Sequence, residues 1–240
     1  MRSKLPLVLT VLLFCFVTEA SAHYLWSTID SKSGKHGAAK IYSEESPAAG
    51  DGRYLKHFEK SKKTWFRTIE QIKPRLIKTK VIQQKKKRWL QTPLPAAGPR
   101  SVDTYAKFGV YNYGKTRVLL HYYARSLNVN SHDDLHELAR AKHMNLDIVA
   151  HDTPKKVELK VIWKGKPVAK RLVYIHGPKK FRKNVKTDQS GKVTFQPSAR
   201  GRYTIRTSVE LRTPGKDNDG KAYDLIRHHA TLIMTLPLKE

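Results

Sequence analysis

Apolar and polar residues alternate along the second half of the chain. Alternation begins at Val157–Trp163 and is the pattern of a strand with one buried face. Turns containing glycine, proline or aspartate separate this strand from further short ones. The further predicted strands cover residues 168–175, 183–186, 193–195, 201–210 and 222–236. Short strands divided by regular turns predict a β-sandwich.

The first half carries the same pattern with more interruptions. Predicted strands cover residues 23–29, 38–43, 104–111, 116–124 and 145–150. A short helix is predicted within residues 53–61 and a longer one over 133–144, where apolar residues fall near helical spacing. Residues 92–100 contain three prolines and one glycine, which predicts a connector.

These elements predict a mainly β fold, a tandem or fused β-sandwich of immunoglobulin-like or transthyretin-like type with few short helices. We expect an N-terminal β-rich domain over residues 23–152, with a basic insertion at about 56–100. A transthyretin-like β-sandwich domain is expected over residues 153–240.

Residues 1–22 have the composition of a secretory signal peptide. Basic residues at Arg2 and Lys4 precede an apolar run over residues 5–17, and Ala20 and Ala22 form an A-x-A cleavage site. The run is too short to span a bilayer. We therefore expect export to the periplasm or the extracellular space, as a soluble protein after cleavage. The only cysteine, Cys15, lies in this segment, so no disulfide or thiolate metal site is expected in the mature chain.

Basic residues outnumber acidic ones strongly, giving a formal net charge of +27. Much of the excess lies in residues 56–88, beside Trp65 and Trp89. Because the protein is expected to be exported, an anionic polysaccharide or another anionic surface is the expected partner rather than nucleic acid. The alternative is a solvated segment that keeps the protein soluble. The candidate polymer-binding residues are Lys62, Lys63, Lys85, Lys86, Lys87 and Arg88.

Three stretches of the second half resemble the small β-sandwiches of transthyretin-like or carboxypeptidase-regulatory-like type. They are "GKPVAKRLVYI", "KTDQSGKVTF" and "GRYTIRTSVE". Within the second stretch, Asp188 is predicted to bond to its own backbone and Gly191 to take a positive φ. Asp188 is therefore expected to be a turn residue and not a catalytic one.

The mature chain as a whole resembles a broader family of bacterial periplasmic proteins, numerous in planctomycete-type genomes. These are accessory components of nickel or cobalt uptake. The resemblance rests on "AHYLW", "AKIYSEESPAAGDGRYL", "LLHYYAR", the sandwich stretches and "RHHATLIM", in that order. It implies a β-rich fold and a divalent-metal role. The partner would be a membrane transporter or a cell-envelope component in another chain.

Cleavage after Ala22 would make His23 the first residue, where its α-amine and imidazole could chelate one metal ion. The resemblance adds His121 and His228, with His229 at a variable position. Four neutral nitrogens would suit nickel, cobalt or copper, or zinc if the geometry were tetrahedral. The alternative for a strand histidine is an ordinary core or surface position. Residues that could orient an imidazole are Glu44, Glu45 and Asp51.

No common catalytic motif is present. The chain has no G-x-S-x-G, P-loop or dinucleotide fingerprint, and the zinc-protease motif that begins at His136 fails because Arg140 replaces the second histidine. A non-enzymatic protein is expected. The remaining enzymatic alternative is a copper-dependent oxidase acting on polysaccharides, because a terminal histidine with another histidine is a copper ligand set. His132, His136 and His143 could share one helix face and form a second metal site, although a polar face is the simpler interpretation.

Overall fold

The computed structural model describes residues 23–58, 61–153 and 156–238; the predicted signal peptide lies outside them. The described part is mainly β, as predicted, with one α-helix, α1 (His132–Leu138), and a single 3-10 turn at Leu55–His57. The strands are, in chain order, β1 (Tyr24–Asp30), β2 (Ala38–Glu44), β3 (Lys63–Thr68), β4 (Arg75–Leu76), β5 (Lys80–Gln84), β6 (Lys87–Pro93), β7 (Arg100–Tyr113), β8 (Thr116–Asn128), β9 (Leu146–Asp152), β10 (Val157–Trp163), β11 (Lys166–Pro167), β12 (Leu172–His176), β13 (Arg182–Lys186), β14 (Lys192–Phe195), β15 (Gly201–Leu211), β16 (Gly215–Lys216), β17 (Ala222–Tyr223) and β18 (Leu225–Leu236).

An eight-stranded sheet with the order β13-β12-β15-β18-β8-β7-β3-β4 forms the centre of the fold. Its neighbours pair antiparallel except for β8 and β18, which run parallel with His121 opposite His228. Strands on both sides of the predicted domain boundary at residues 152 and 153 therefore share one sheet. Two sandwiches are thus fused through a common central layer, in agreement with the predicted fold class.

A second sheet, of order β1-β2-β6-β5, covers one face of the central sheet. Leu25, Ile41 and Leu90 from this sheet pack against Leu120 and Tyr122 of β8. These side chains alternate with exposed or opposite-facing ones along each strand, as a sheet with one buried face requires. We call this side the β1 face.

The opposite face of the central sheet, which we call the α1 face, is covered by α1 and by a third sheet. That sheet contains β11, β10 and β14, and β9 pairs with β10. Leu138, Ile148 and Leu159 meet Tyr123 and Leu232 of the central sheet in the largest core cluster. Successive residues of β8 thus serve two different cores.

Helix α1 is shorter than the predicted 133–144. It begins at a capping box between Ser131 and Asp134. It ends at Leu138 because buried arginines take the next carbonyl groups: Arg125 donates to the carbonyls of Leu138 and Ala139, and Arg67 to those of Leu138 and Arg140. The carbonyl groups that would accept hydrogen bonds in a further helical turn accept them from these guanidinium groups instead.

The basic segment is built into the fold. Four strands, β3 to β6, lie between residues 63 and 93. The helix predicted within 53–61 is only the 3-10 turn at Leu55–His57, and β6 extends into the predicted connector. Backbone pairing in both large sheets explains the order of this segment despite its charge. No helix among the described residues is long and apolar enough to cross a membrane.

Candidate functional site

His121 and His228 lie side by side on the α1 face. Their rings stack with centroids 4.8 Å apart because the parallel register places them opposite each other. The Tyr105 hydroxyl lies 2.9 Å from Nδ1 of His121, and the Tyr123 hydroxyl 3.3 Å from Nδ1 of His228. Trp163 covers His228, with ring centroids 4.3 Å apart.

Burial keeps this pair of imidazoles neutral. Desolvation, reinforced by the charge of Lys107, lowers the pKa of His121 to about 4. Desolvation also lowers the pKa of His228 to about 3, with smaller contributions from His121 and Lys164. Two neutral imidazoles could in principle ligate a metal, but aromatic rings and a tyrosine hydroxyl surround each of them.

His23 lies on the other side of the central sheet. It contacts Tyr54 edge to face, with ring centroids 4.6 Å apart, and borders a cleft that also touches Leu120 and Tyr122 on the β1 face. The central sheet therefore separates His23 from His121 and His228. Alternation along β8 causes this, since residue 121 points away from the layer that carries β1. The structure does not bring the three predicted ligands together.

Glu44 is the acidic partner of His23. Its Oε2 lies 3.9 Å from Nε2 of His23, and its Oε1 accepts a hydrogen bond of 3.0 Å from the Gly52 amide. Gly50 makes room for this carboxylate: a Cβ there would lie 2.4 Å from the Glu44 carboxylate atoms. The side chains of His23 and Glu44 are 22% and 14% exposed, so the pair is partly shielded but reachable from solvent.

The other predicted acidic residues are placed differently. Asp51 pairs with Arg53 at 2.7 Å, and hydrogen bonds from Arg53 lower the pKa of its carboxyl group. Glu45 is exposed. Over the described residues, no three side chains of His, Cys, Asp or Glu are grouped closely enough to hold a metal ion.

The three histidines predicted for one helix face do not share one. Nδ1 of His132 lies 2.7 Å from the carbonyl of Asp152, and His136 is exposed. His143 lies beyond the end of α1, where its Nε2 is 3.4 Å from Asp103. The early end of the helix therefore removes the geometry on which this second site depended.

The polymer-binding candidates lie in two strands, at a hairpin tip and just before a strand. Lys62 directly precedes β3 and is partly buried. Lys85 and Lys86 form the turn between β5 and β6, where Lys85 has a φ of 53°. Lys87 and Arg88 begin β6, while Lys63 begins β3. Lys85, Lys86, Lys87 and Lys63 are exposed. We call residues 80–93 the lysine hairpin.

An aromatic cleft of about 320 Å³ beside His23 was not predicted. Its signal in the sequence is the run of aromatic residues at 108, 111 and 113, near the end of a strand. The rings that line it belong to Tyr54, Phe58, Phe108, Tyr111, Tyr113 and Tyr122. Its polar lining includes His23, Ser43 and Asn112.

Comparisons with known proteins identify no family. No family model and no curated protein matches the chain. Among solved structures, the BSP domain of a biofilm-associated protein is 8% identical with a TM-score of 0.21, and the match covers 89% of this chain and 52% of that one. The D0-D1 domain of intimin is 11% identical with a TM-score of 0.21, covering 88% and 96% of the two chains.

A pullulanase from Anoxybacillus sp. LM18-11 is 13% identical with a TM-score of 0.20, covering 84% of this chain and 27% of the enzyme. The present chain thus spans about half of the biofilm-associated domain and about a quarter of the pullulanase. TM-scores of this size do not establish a shared fold.

Proposed function

We propose that the exported protein binds a divalent metal ion at His23 and presents it to another component of the cell envelope. The observation that supports this is the placement of Glu44 beside Nε2 of His23. Once residues 1–22 are removed, the α-amine and Nδ1 of His23 can close a six-membered chelate ring on a metal. Glu44 then lies on the far side of the imidazole, where a carboxylate orients the ring and raises its basicity.

The donor set fits nickel or copper better than a hard cation. Two neutral nitrogens suit nickel(II), cobalt(II) and copper(II), whereas calcium and magnesium prefer oxygen ligands. His121 and His228 are not part of this set. A chelate with only two protein nitrogens leaves coordination positions open, and these suit transfer of the ion to a partner chain such as a membrane transporter. The sequence resemblance to nickel or cobalt accessory proteins points to the same role.

A metal titration of the mature protein tests the proposal. The authentic His23 terminus should bind nickel or copper, and acetylation of its α-amine should abolish the binding because the blocked amine cannot be a ligand. Glu44→Gln should weaken the binding by about 10–100-fold, as expected for loss of an orienting carboxylate. His136→Ala, which removes an exposed histidine, is the matched control and should bind as the wild type. Equal affinity with and without the acetyl group would refute the site.

We propose a second function for the lysine hairpin, namely binding of an anionic polysaccharide in the cell envelope. Its support is the exposed Lys85, Lys86 and Lys87 at one tip. In addition, no acidic residue occurs between Glu70 and Asp103, so no negative side chain from this stretch offsets the charge. The hairpin is held by its pairing with β2, so the charges are presented by a fixed framework.

The triple variant K85Q/K86Q/K87Q tests this second function. It should weaken binding to a uronic-acid polymer by about tenfold or more and reduce the dependence of affinity on salt, because fewer counterions are released. The triple variant K179Q/K180Q/K183Q removes the same charge from another exposed part of the surface and should have little effect. Equal losses in both triple variants would indicate attraction by net charge alone, and would overturn a specific role for the hairpin.

A further inference from the structure

The aromatic cleft beside His23 is built like a site for a small amphipathic ring. We infer that it binds one sugar ring of an oligosaccharide, and this inference needs neither the metal at His23 nor the lysine hairpin. Pockets of a few hundred Å³ that combine aromatic walls with a few polar groups are typical small-ligand sites. The cleft volume of about 320 Å³ is at the small end of that range and suits a single ring with part of its neighbour.

The walls of the cleft offer ring faces that are not stacked on one another. Phe108 meets Tyr111 at an interplanar angle of 73°, and Tyr111 meets Tyr113 at 61°. Edge-to-face contacts of this kind leave the flat face of one ring open to a ligand. Tyr111 is 37% exposed, which is unusual for a large hydrophobic side chain of this protein. The C–H face of a pyranose ring is the complement of such a surface.

Polar groups at the edges of the same cleft favour a ligand that carries hydroxyl groups. Asn112, Ser43 and His23 supply amide, hydroxyl and imidazole groups. The Tyr113 and Tyr122 side chains line the same cleft, and the Tyr113 hydroxyl interacts with Arg227. A ligand with hydroxyl groups can form hydrogen bonds to these polar groups, whereas a purely apolar ligand cannot.

The basic residues around the cleft favour a neutral or acidic ligand over a cationic one. Arg227 lies over the Tyr113 ring at 5.3 Å and is itself paired with Glu210 at 2.8 Å. His57 stacks near Phe108, with centroids 4.6 Å apart, and neighbouring Lys56 and Lys221 lower its pKa further than burial alone does. An aromatic cage for an ammonium group would lack this positive rim. A neutral or acidic sugar is compatible with it.

The test is a glycan array that presents neutral and acidic oligosaccharides to the mature protein. The buffer contains a chelator, which removes divalent metal ions, and high salt, which screens the charges of the exposed lysines. At least one glycan should be retained, and Tyr111→Ala and Tyr113→Ala should each weaken its binding by about tenfold, in line with loss of one aromatic contact. The K85Q/K86Q/K87Q variant should bind the glycan unchanged, which separates this site from the hairpin.

Tyr174→Ala is the matched control, because Tyr174 is a partly exposed tyrosine on β12 that contacts Arg206 outside the cleft. Thermal unfolding of each variant establishes that it folds; Tyr111 stands near the end of β7 and is partly exposed, so its removal should leave the midpoint unchanged. Failure of every glycan to bind would overturn the inference. Retained binding in both cleft variants would overturn it as well, by placing the sugar elsewhere.

Discussion

Arg125 is the most fully buried basic residue of the central sheet, 1% exposed within the strand of "LLHYYAR". Its guanidinium group donates to Asp103 at 3.0 Å and to Asp147 at 2.6 Å. Ion pairing with these two carboxylates outweighs desolvation and raises the pKa of Arg125, while the pKa of Asp103 is lowered. An arginine within a mostly apolar strand indicates, from the sequence alone, a buried and ion-paired side chain. The sequence does not indicate which carboxylates pair with it.

Replacing Arg125 by methionine should destabilise the protein strongly. Asp103 and Asp147 would lose a buried partner, and breaking one side of such a pair costs about 3–5 kcal/mol. Urea unfolding measures this loss. Arg117→Met is the control, since the Arg117–Asp224 pair is exposed and its loss should not move the midpoint. A small effect of Arg125→Met would mean that water reaches the carboxylates.

Elements with strong local signals could be predicted from the sequence. The alternation of apolar and polar residues correctly predicted β15, and the turn at Gly114 correctly predicted the β7–β8 hairpin. Both β7 and β8 are longer than predicted. The lysine-rich residues 63–93 were not identified as strands, because charge hides a weak alternation and the pairing partners are distant in sequence. The end of α1 was missed because it depends on carbonyl groups taken by arginines from other strands.

The turn before β14 is an element whose chemistry can be tested directly. Gly191 has a φ of 75°, and a Cβ there would lie 2.8 Å from the backbone nitrogen of Val168. Asp188 accepts hydrogen bonds from the amides of Ser190 and Lys192, as predicted for a structural turn residue. Gly191→Ala therefore adds a clash to the strain of a left-handed conformation.

We expect Gly191→Ala to lower the free energy of unfolding by more than about 1 kcal/mol. Gly165→Ala is the matched control: its φ is 84°, but a Cβ there would meet nothing within 4 Å. Gly165→Ala should lower the free energy of unfolding only by the cost of the strained backbone conformation. Denaturant titration of both variants separates clash from strain, and equal losses would contradict a close approach at residue 191.

Buried histidines make the free energy of unfolding of this protein depend on pH. Desolvation lowers the pKa of His229 to about 3, and His121 and His228 are lowered to about 4 and about 3. The unfolded chain titrates near ~6.5, so below that pH it binds protons that the folded state refuses. Stability should therefore fall as the pH decreases from about 6.5 toward 4, by up to about 1.4 kcal/mol per pH unit for each histidine.

Urea unfolding at a series of pH values measures this slope. His228→Phe should reduce it, because one protonation of the unfolded state is removed, whereas His136→Phe at an exposed position should not. An unchanged slope in His228→Phe would show that this imidazole is protonated in the folded protein. The pKa of the buried Asp103 is lowered, so its contribution to stability is lost mainly at lower pH than this window.

The layered architecture also explains how much of the metal site could be predicted. The predicted strands contain His121 and His228, and the structure places these two residues opposite each other. Which layer carries β1 depends on packing between sheets, for which the sequence holds no local signal. The three predicted ligands therefore lie on two faces of the sheet. The role of Glu44 as an acid that orients the His23 imidazole stays a prediction, with the two side chains 3.9 Å apart.

The parallel pairing of β8 with β18 has a consequence for how the chain reaches this structure. Tyr123 and His228 are 105 residues apart in sequence, and Thr231 donates a hydrogen bond to the carbonyl of Leu25 from 206 residues away. Contacts of such long range make folding slow. Until residues 225–236 join, β8 and β15 each present an open edge that other chains could extend. Folding should therefore depend on protection of these two edges.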